Sequence, residues 1–153
     1  MNAFIFPGQG AQFKGMVQDF CSENESLLQI IKEAEKISNR SVTKILWETE
    51  LSELSRSDNS QLAITVASIV IINALKNRGI ESDICAGFSL GEFSALYDSG
   101  VLSFEDTIKL VTERGNIMQK VCDNLSEKSE GNLPGMMAIL GLPLEQIESL
   151  IEP

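Results

Sequence analysis

Apolar and polar residues follow one another along the chain in blocks typical of strands and helices around one core. Two short apolar runs, Asn2–Phe6 and Asp83–Ala86, lead directly into glycine-containing turns, so we predict that both are buried strands. Between them, Gln61–Lys76 is apolar almost all round, and its length favours a buried helix over a strand. Because strands and helices alternate, the sequence predicts an α/β fold with a parallel sheet and flanking helices.

The remaining segments predict further helices and one linker. The patterns indicate a helix-favouring region over 14–38, a turn with a short helix over 41–54, helices over 92–99, 103–122 and 144–151, and a strand over 136–140. Ser103, with Asp106 three residues later, forms an imperfect capping box. The polar stretch 123–134 is loop-like, so we predict a main unit over 1–123, a linker over 124–134 and a second unit beginning at 135 and continuing to 153.

Charge and composition exclude several classes of function. The 153 residues include 12 Lys and Arg against 22 Asp and Glu, a net charge of −10, which disfavours binding to nucleic acid or to an anionic membrane surface. The uncharged and largely apolar stretch Gln61–Leu75 is shorter than the roughly 18 residues that a membrane span needs. The N-terminus lacks the basic and long apolar regions of a signal peptide. We therefore expect a cytoplasmic protein with no membrane or nucleic-acid partner.

Cysteine and histidine usage limits the available chemistry. The three cysteines are far apart with no CxxC pair, and the chain has no histidine, so we expect reduced thiols, no metal site and no cofactor. A Ser-His or Cys-His catalytic pair cannot be formed by this chain alone.

Two glycine-containing turns are candidates for chemistry. Residues 87–91 read Gly-Phe-Ser-Leu-Gly between a predicted strand and a predicted helix, a context that projects the hydroxyl of Ser89 and leaves the next backbone N–H free for an oxyanion. The alternative is a structural turn, because serine is a common helix cap. Residues 7–12 read Pro-Gly-Gln-Gly-Ala-Gln and would also present free N–H groups, but they match neither a dinucleotide fingerprint nor a P-loop. Here the alternative is a turn that simply ends the first strand.

Arg114 is the third candidate. Its neighbours on the same helix face are all apolar, which predicts that the guanidinium lies within a buried stripe: Leu110, Val111, Ile117, Met118 and Val121. A buried guanidinium without a partner is costly, so the arginine is a structural ion pair, a snorkelling side chain or a clamp for a substrate carboxylate.

Taken together, these residues resemble the malonyl-CoA:acyl carrier protein transacylase family. The resemblance is carried by four motifs in the family's order: FIFPGQGAQ over 4–12, SQLA over 60–63, GFSLGE over 87–92 and ERGNIMQ over 113–119. It implies an α/β-hydrolase-like large subdomain, with a ferredoxin-like small subdomain that begins after the linker and is truncated here. It also implies transfer of malonyl from malonyl-CoA to the phosphopantetheine thiol of acyl carrier protein, in fatty-acid or polyketide synthesis.

The resemblance assigns roles to individual residues. Ser89 would be the nucleophile, the backbone N–H groups of Gln9 and Leu90 the oxyanion hole, and Arg114 the ligand of the malonyl carboxylate. Malonyl-CoA would be a substrate, and no cofactor is implied.

Two departures from the family pattern bear on function. Phe88 stands where the family usually has a histidine that is not the catalytic base. The family's catalytic histidine lies in a later segment, and its members are about twice this length, so the resemblance predicts an N-terminal part that needs the missing C-terminal half as a partner. Without that half, apolar faces of the present helices and a sheet edge would be exposed. The alternatives are a serine acyl hydrolase of the same architecture and an inactive fragment.

Overall fold

The computed structural model describes residues 1–128 and 139–151. In chain order the elements are β1 (Ala3–Phe6), α1 (Gln18–Ser22), α2 (Glu25–Ser38), α3 (Val42–Trp47), α4 (Leu51–Leu54), α5 (Ser57–Lys76), β2 (Ile84–Gly87), α6 (Gly91–Asp98), α7 (Phe104–Lys128) and α8 (Leu144–Ile151). The chain divides into two compact units, Met1–Val121 and Cys122–Pro153. The first unit contains both strands and every candidate site residue.

The two predicted strands form a small parallel sheet. β1 pairs with β2 in a register that runs from Ala3 opposite Ile84 to Phe6 opposite Gly87. Parallel strands require a crossover connection, and helices α1 to α5 supply it. The predicted α/β class and parallel pairing are therefore confirmed, and the carboxyl ends of both strands lie at the same edge of the sheet.

Helix α5 is the centre of the core. Residues 59–70 are all buried, as the nearly uniform apolar composition predicted. Among the described residues, α5 alone is long and apolar enough to cross a membrane, with a mean hydropathy of 1.3, but 78% of that window is buried inside the protein. Burial of this kind is typical of a core helix.

The first turn of α5 was missed by the sequence pattern. The helix begins at Ser57 and not at Gln61. Its first turn therefore lies within a polar cluster that predicts a loop. Tertiary hydrogen bonds explain the difference: Arg40 donates to the backbone oxygen of Asp58 and to Oδ1 of Asn59, at 2.7 Å each. These bonds compensate for burying polar groups that the sequence alone places in solvent.

The segment 14–38 contains two helices rather than one continuous helical region. It breaks between α1 and α2, where the Asn24 side chain accepts from the backbone N–H groups of Ser26 and Leu27 and caps α2. An asparagine cap satisfies free backbone N–H groups in the first turn of a helix, so it favours the start of a new helix after Asn24. The segment 41–54 likewise contains two short helices, α3 and α4.

Helix α7 is longer than predicted. The Ser103 half of the expected capping box is present, with the backbone N–H of Asp106 donating to the Ser103 hydroxyl at 3.0 Å and that hydroxyl donating to Oδ2 of Asp106 at 2.6 Å. The helix continues to Lys128, so the predicted loop beginning at residue 123 is wrong over residues 123–128. No glycine or proline interrupts that stretch, and helical propensity therefore carries the helix onward. The predicted domain division itself remains a prediction.

At the end of the chain, α8 confirms the helix predicted over 144–151. Most of the predicted strand over 136–140 lies outside the described residues.

Apolar side chains remain exposed on one face of the sheet. The side chains of Ile5 and Ile84 are 79% and 59% exposed, although both are on strands. Strands of a parallel sheet are ordinarily covered on both faces. The resemblance predicts exposed apolar helix faces and an exposed sheet edge; the exposed face of the sheet is a further finding of the structure.

Candidate active site

The serine turn joins the end of β2 to the start of α6. Ser89 adopts a left-handed backbone conformation, with φ +51°. Two hydrogen bonds fix the turn: the N–H of Phe88 donates to the carbonyl of Phe6 at 3.0 Å, and the N–H of Gly91 donates to the carbonyl of Phe88 at 2.9 Å. Left-handed backbone is uncommon for a serine and marks positions where geometry serves function. The side chain of Ser89 is exposed, as expected for a nucleophile.

The glycines on either side of this turn are required by close backbone contacts. A Cβ atom on Gly87 would overlap the backbone of Gly91 and Glu92 at the start of α6. A Cβ atom on Gly91 would overlap the carbonyl of Phe6, so this glycine lets α6 begin directly against the end of β1. These two glycines therefore permit a close approach of strand and helix that side chains would block.

The second glycine turn lies beside the first. At Gly8, a Cβ atom would be 2.9 Å from the carbonyl oxygen of Phe88. Gly10 has φ +112°, and its N–H donates to the side chain of Gln12 at 2.8 Å. Both turns follow the carboxyl ends of parallel strands, the edge of an open α/β sheet where ligands bind.

Several backbone N–H groups in these turns, including those of Gln9 and Leu90, have no protein acceptor among the described residues. Leu90 directly follows Ser89, and its side chain is buried, which anchors its amide. Free backbone N–H groups beside an exposed serine hydroxyl can stabilise the oxyanion of an acyl-transfer intermediate.

Arg114 lies on α7 and faces α5 and α6. Its Nη1 donates to Oε1 of Gln61 at 2.6 Å, and its guanidinium carbon lies 5.8 Å from the ring centroid of Phe93. Among the described residues, no carboxylate forms an ion pair with it. The structural ion-pair interpretation is therefore not supported by any described partner.

The predicted buried stripe around Arg114 is wrong. Val111 is buried, but Leu110, Ile117 and Val121 are each about half exposed, at 46%, 55% and 51%. The face of α7 that packs into the core carries mainly Thr107, Ile108, Val111 and Gly115. Arg114 borders this face and is half-buried, so the helical periodicity located an apolar surface without showing which part of it the fold covers.

A seam between α5 and α7 connects the arginine to the glycine turn. A Cβ atom on Gly115 would be 2.9 Å from the carbonyl oxygen of Ser57, and the side chain of Gln119 accepts from the N–H of Ser57 at 2.8 Å. The hydroxyl of Ser57 in turn accepts from Nε2 of Gln9 at 3.3 Å. The first turn of α5 therefore contacts both the Gln9 turn and the helix that carries Arg114.

Sequence reasoning did not assign roles to Gln61 and Phe93. Gln61 is fully buried, and its Nε2 donates to Sδ of Met118 at 3.0 Å while its Oε1 binds Arg114. The available signal was a glutamine within a largely apolar stretch of sequence, since a buried amide needs hydrogen-bond partners.

Comparison with known proteins identifies the family. The acyl transferase domain family matches residues 3–138. The malonyl CoA-acyl carrier protein transacylase of Bacillus subtilis is 34% identical over 150 residues, covering 98% of this chain and 45% of the relative. The chain belongs to the acyl transferase domain family. It spans about half the length of the curated relatives that it matches.

Solved structures agree with this assignment. The malonyl CoA-acyl carrier protein transacylase of Clostridium perfringens superposes with a TM-score of 0.77 at 30% identity, covering 97% of this chain and 45% of that one. A complex between a type II polyketide synthase acyl carrier protein and its malonyl-transacylase gives a TM-score of 0.72 at 34% identity, covering 77% of this chain and 38% of that one. The resemblance to malonyltransferases found in the sequence is therefore confirmed.

Proposed function

We propose that the complete protein transfers malonyl from malonyl-CoA to the phosphopantetheine thiol of an acyl carrier protein, through a malonyl ester on Ser89. The observation that carries this proposal is the guanidinium of Arg114, which is half-buried, held by a neutral amide and unpaired with any described carboxylate. A charge held in this way is suited to a ligand that supplies the missing carboxylate. Malonyl has such a carboxylate and acetyl does not.

The serine turn supplies the nucleophile. Oγ of Ser89 attacks the thioester carbonyl of malonyl-CoA, and the N–H groups of Gln9 and Leu90 donate to the oxygen that becomes negative. Collapse of the intermediate breaks the carbon–sulfur bond, releases coenzyme A as its thiol and leaves the malonyl ester. The thiol of the carrier protein then attacks this ester and restores the serine hydroxyl.

The attack requires a base to take the proton of Ser89. The chain has no histidine, so we propose that the base is a histidine from the part of the complete enzyme that corresponds to the second half of the relatives. The exposed sheet residues Ile5 and Ile84 support this proposal, because that part would cover them.

An acyl carrier protein is the proposed acceptor. The similarity to a malonyl-transacylase solved with a polyketide synthase carrier protein supports this partner. We place the reaction in fatty-acid or polyketide synthesis, both of which use carrier-bound malonyl groups. Water as the acceptor would instead give a hydrolase, and a simple esterase has no need of a carboxylate clamp.

The test is acylation of the chain, measured by intact-protein mass spectrometry after incubation with malonyl-CoA. The chain is mixed with the histidine-bearing C-terminal half of the Bacillus subtilis relative, and carrier protein is added afterwards. We expect a malonyl adduct that disappears in Ser89→Ala, remains in the exposed control Ser99→Ala and moves to the carrier protein. Arg114→Ala should lower malonyl loading at least tenfold and spare acetyl loading from acetyl-CoA.

Each part of the proposal is contradicted by a different result. An adduct that survives Ser89→Ala would exclude this nucleophile, and equal losses of malonyl and acetyl loading in Arg114→Ala would exclude the clamp. Release of free malonate instead of transfer would favour the hydrolase.

A further inference from the structure

We propose that Gln61 is a specificity-determining positioning residue, which holds Arg114 by a neutral contact so that the positive charge remains available to the acyl group. This inference rests on the proposed function, because it takes the guanidinium of Arg114 as the ligand of the substrate carboxylate. It goes further by assigning the selection for an acidic acyl group to a pair of residues on two helices.

The neutrality of this contact differs from the contacts of two other arginines in the chain. Nη2 of Arg40 lies 3.7 Å from a carboxylate oxygen of Asp58, and Nε of Arg56 lies 3.4 Å from the other oxygen of the same side chain. Arg114 instead faces the amide oxygen of Gln61 at 2.6 Å. A carboxylate at that distance would neutralise the guanidinium and compete with the substrate.

The orientation of the amide is fixed from its other end. Nε2 of Gln61 donates to Sδ of Met118, one helical turn beyond Arg114 on α7, at 3.0 Å. Because thioether sulfur is an acceptor and a guanidinium is only a donor, this pair of contacts directs the amide oxygen to the arginine. Gln61 is fully buried, so no solvent competes for either bond.

Most donors of the guanidinium remain available. An arginine has five N–H donors, and the hydrogen bond to Gln61 is the one that Arg114 makes within the described residues. The guanidinium carbon also lies 5.8 Å from the centroid of the Phe93 ring, a cation–π contact that uses none of its N–H donors. The side chain is thus held by contacts that leave its charge uncompensated and its remaining N–H groups free for two-point binding of a carboxylate.

The decisive variant is Gln61→Glu, which keeps the size of the side chain and changes only its charge and donor. We would measure binding of malonyl-CoA and acetyl-CoA by titration calorimetry, using the full chain with Ser89→Ala so that no acyl transfer occurs. We expect the protein with Gln61 to bind malonyl-CoA more tightly than acetyl-CoA. Gln61→Glu should weaken malonyl-CoA binding at least tenfold and change acetyl-CoA binding less than twofold. The control Gln18→Glu adds the same charge at an exposed position and should change neither affinity by more than twofold.

Two further variants keep the inference testable. Gln61→Asn stays neutral but shortens the side chain, and should weaken malonyl-CoA binding three- to tenfold without affecting acetyl-CoA, even if Gln61→Glu does not fold. In an Arg114→Ala background, Gln61→Glu should cause no further selective loss, because its effect acts through the arginine.

The outcomes separate the two proposals. The clamp, and this inference with it, is excluded if Arg114→Ala leaves the preference for malonyl-CoA intact. It is also excluded if the protein with both Gln61 and Arg114 unchanged shows no preference for malonyl-CoA over acetyl-CoA. If Arg114→Ala abolishes the preference while Gln61→Glu and Gln61→Asn retain it, the role of Gln61 is overturned and the clamp stands.

Discussion

The two parts of the candidate site are built in different ways. The serine turn is local: Gly87, Ser89 and Gly91 lie within five consecutive residues, and backbone contacts at the end of a strand fix its shape. The proposed arginine clamp is assembled from distant segments, since Gln61 and Arg114 are 53 positions apart and meet only when α5 packs against α7. A motif therefore identified the first part, whereas only the fold brought the second together.

This difference has an energetic counterpart. The turn leaves no room for side-chain atoms at its glycines, so substitutions there disturb backbone atoms. The clamp is held by side-chain bonds across a helix seam, which adjust more easily. We therefore expect changes in the turn to affect folding strongly, and changes in the seam to affect the position of the arginine more than the fold.

The largest expected effect is that of Gly87→Ala. The new methyl group would overlap backbone atoms of Gly91 and Glu92, so we expect a loss of about 3 kcal/mol or more in the free energy of unfolding. Denaturant titration of both proteins measures it. Gly100→Ala is the matched control, because a Cβ atom at Gly100 meets open space. The cost at Gly100 comes only from its left-handed backbone, at φ +76°. A loss at Gly87 no larger than that at Gly100 would show that the turn is not limited by contact.

The corresponding change in the seam is Gly115→Ala. In a solvent-exposed helix this substitution ordinarily stabilises by about 1 kcal/mol. Here the methyl group would be 2.9 Å from the carbonyl oxygen of Ser57, so we expect destabilisation by about 1–3 kcal/mol instead. Denaturant titration gives the sign, and malonyl-CoA binding reports whether Arg114 has moved. A stabilised variant would show that α5 and α7 are not closely packed at this point.

A third prediction concerns strain in the turn. The left-handed backbone of Ser89, at φ +51°, costs conformational free energy because of its Cβ atom, whereas glycine adopts this conformation without that cost. We expect Ser89→Gly to be more stable than Ser89→Ala by about 1 kcal/mol, although both lack the hydroxyl. Thermal unfolding of the two variants side by side isolates the backbone contribution. Equal melting temperatures would argue against strain at this position.

The smallest expected effect lies away from the site, at a charge that is locally compensated. Burial alone would raise the pKa of Glu35, but hydrogen bonds from Thr43 and the charge of Lys32 outweigh it and lower the pKa. A lowered folded-state pKa stabilises the fold above the unfolded value, and this contribution is lost as the pH falls through the folded value. We expect Glu35→Gln to cost about 0.5–1 kcal/mol near neutral pH and to weaken the acid dependence of stability. Unfolding measured from pH 7 to pH 3 provides the test, and parallel curves for both proteins would contradict it.

Features built from neighbouring residues were predicted correctly from the sequence, and features built from distant segments were not. Both strands, the buried character of α5 and the two glycine turns follow from short patterns whose physical cause is local. The start of α5 at Ser57 was missed because Arg40 and Gln119, both distant in sequence, satisfy its polar residues. The stripe around Arg114 was assigned to the interior because periodicity shows that a face is apolar, not whether anything covers it.

By itself, the sequence determined the serine turn, the parallel α/β class and the membership in an acyl transferase family, because glycine spacing, apolar runs and motif order are properties of neighbouring residues. Only the tertiary structure decided what holds Arg114. The neutral partner Gln61 lies on another helix, and a guanidinium is equally compatible in sequence with a carboxylate, an amide or a ligand. That choice depends on which side chains the packing of α5 against α7 brings within hydrogen-bond distance.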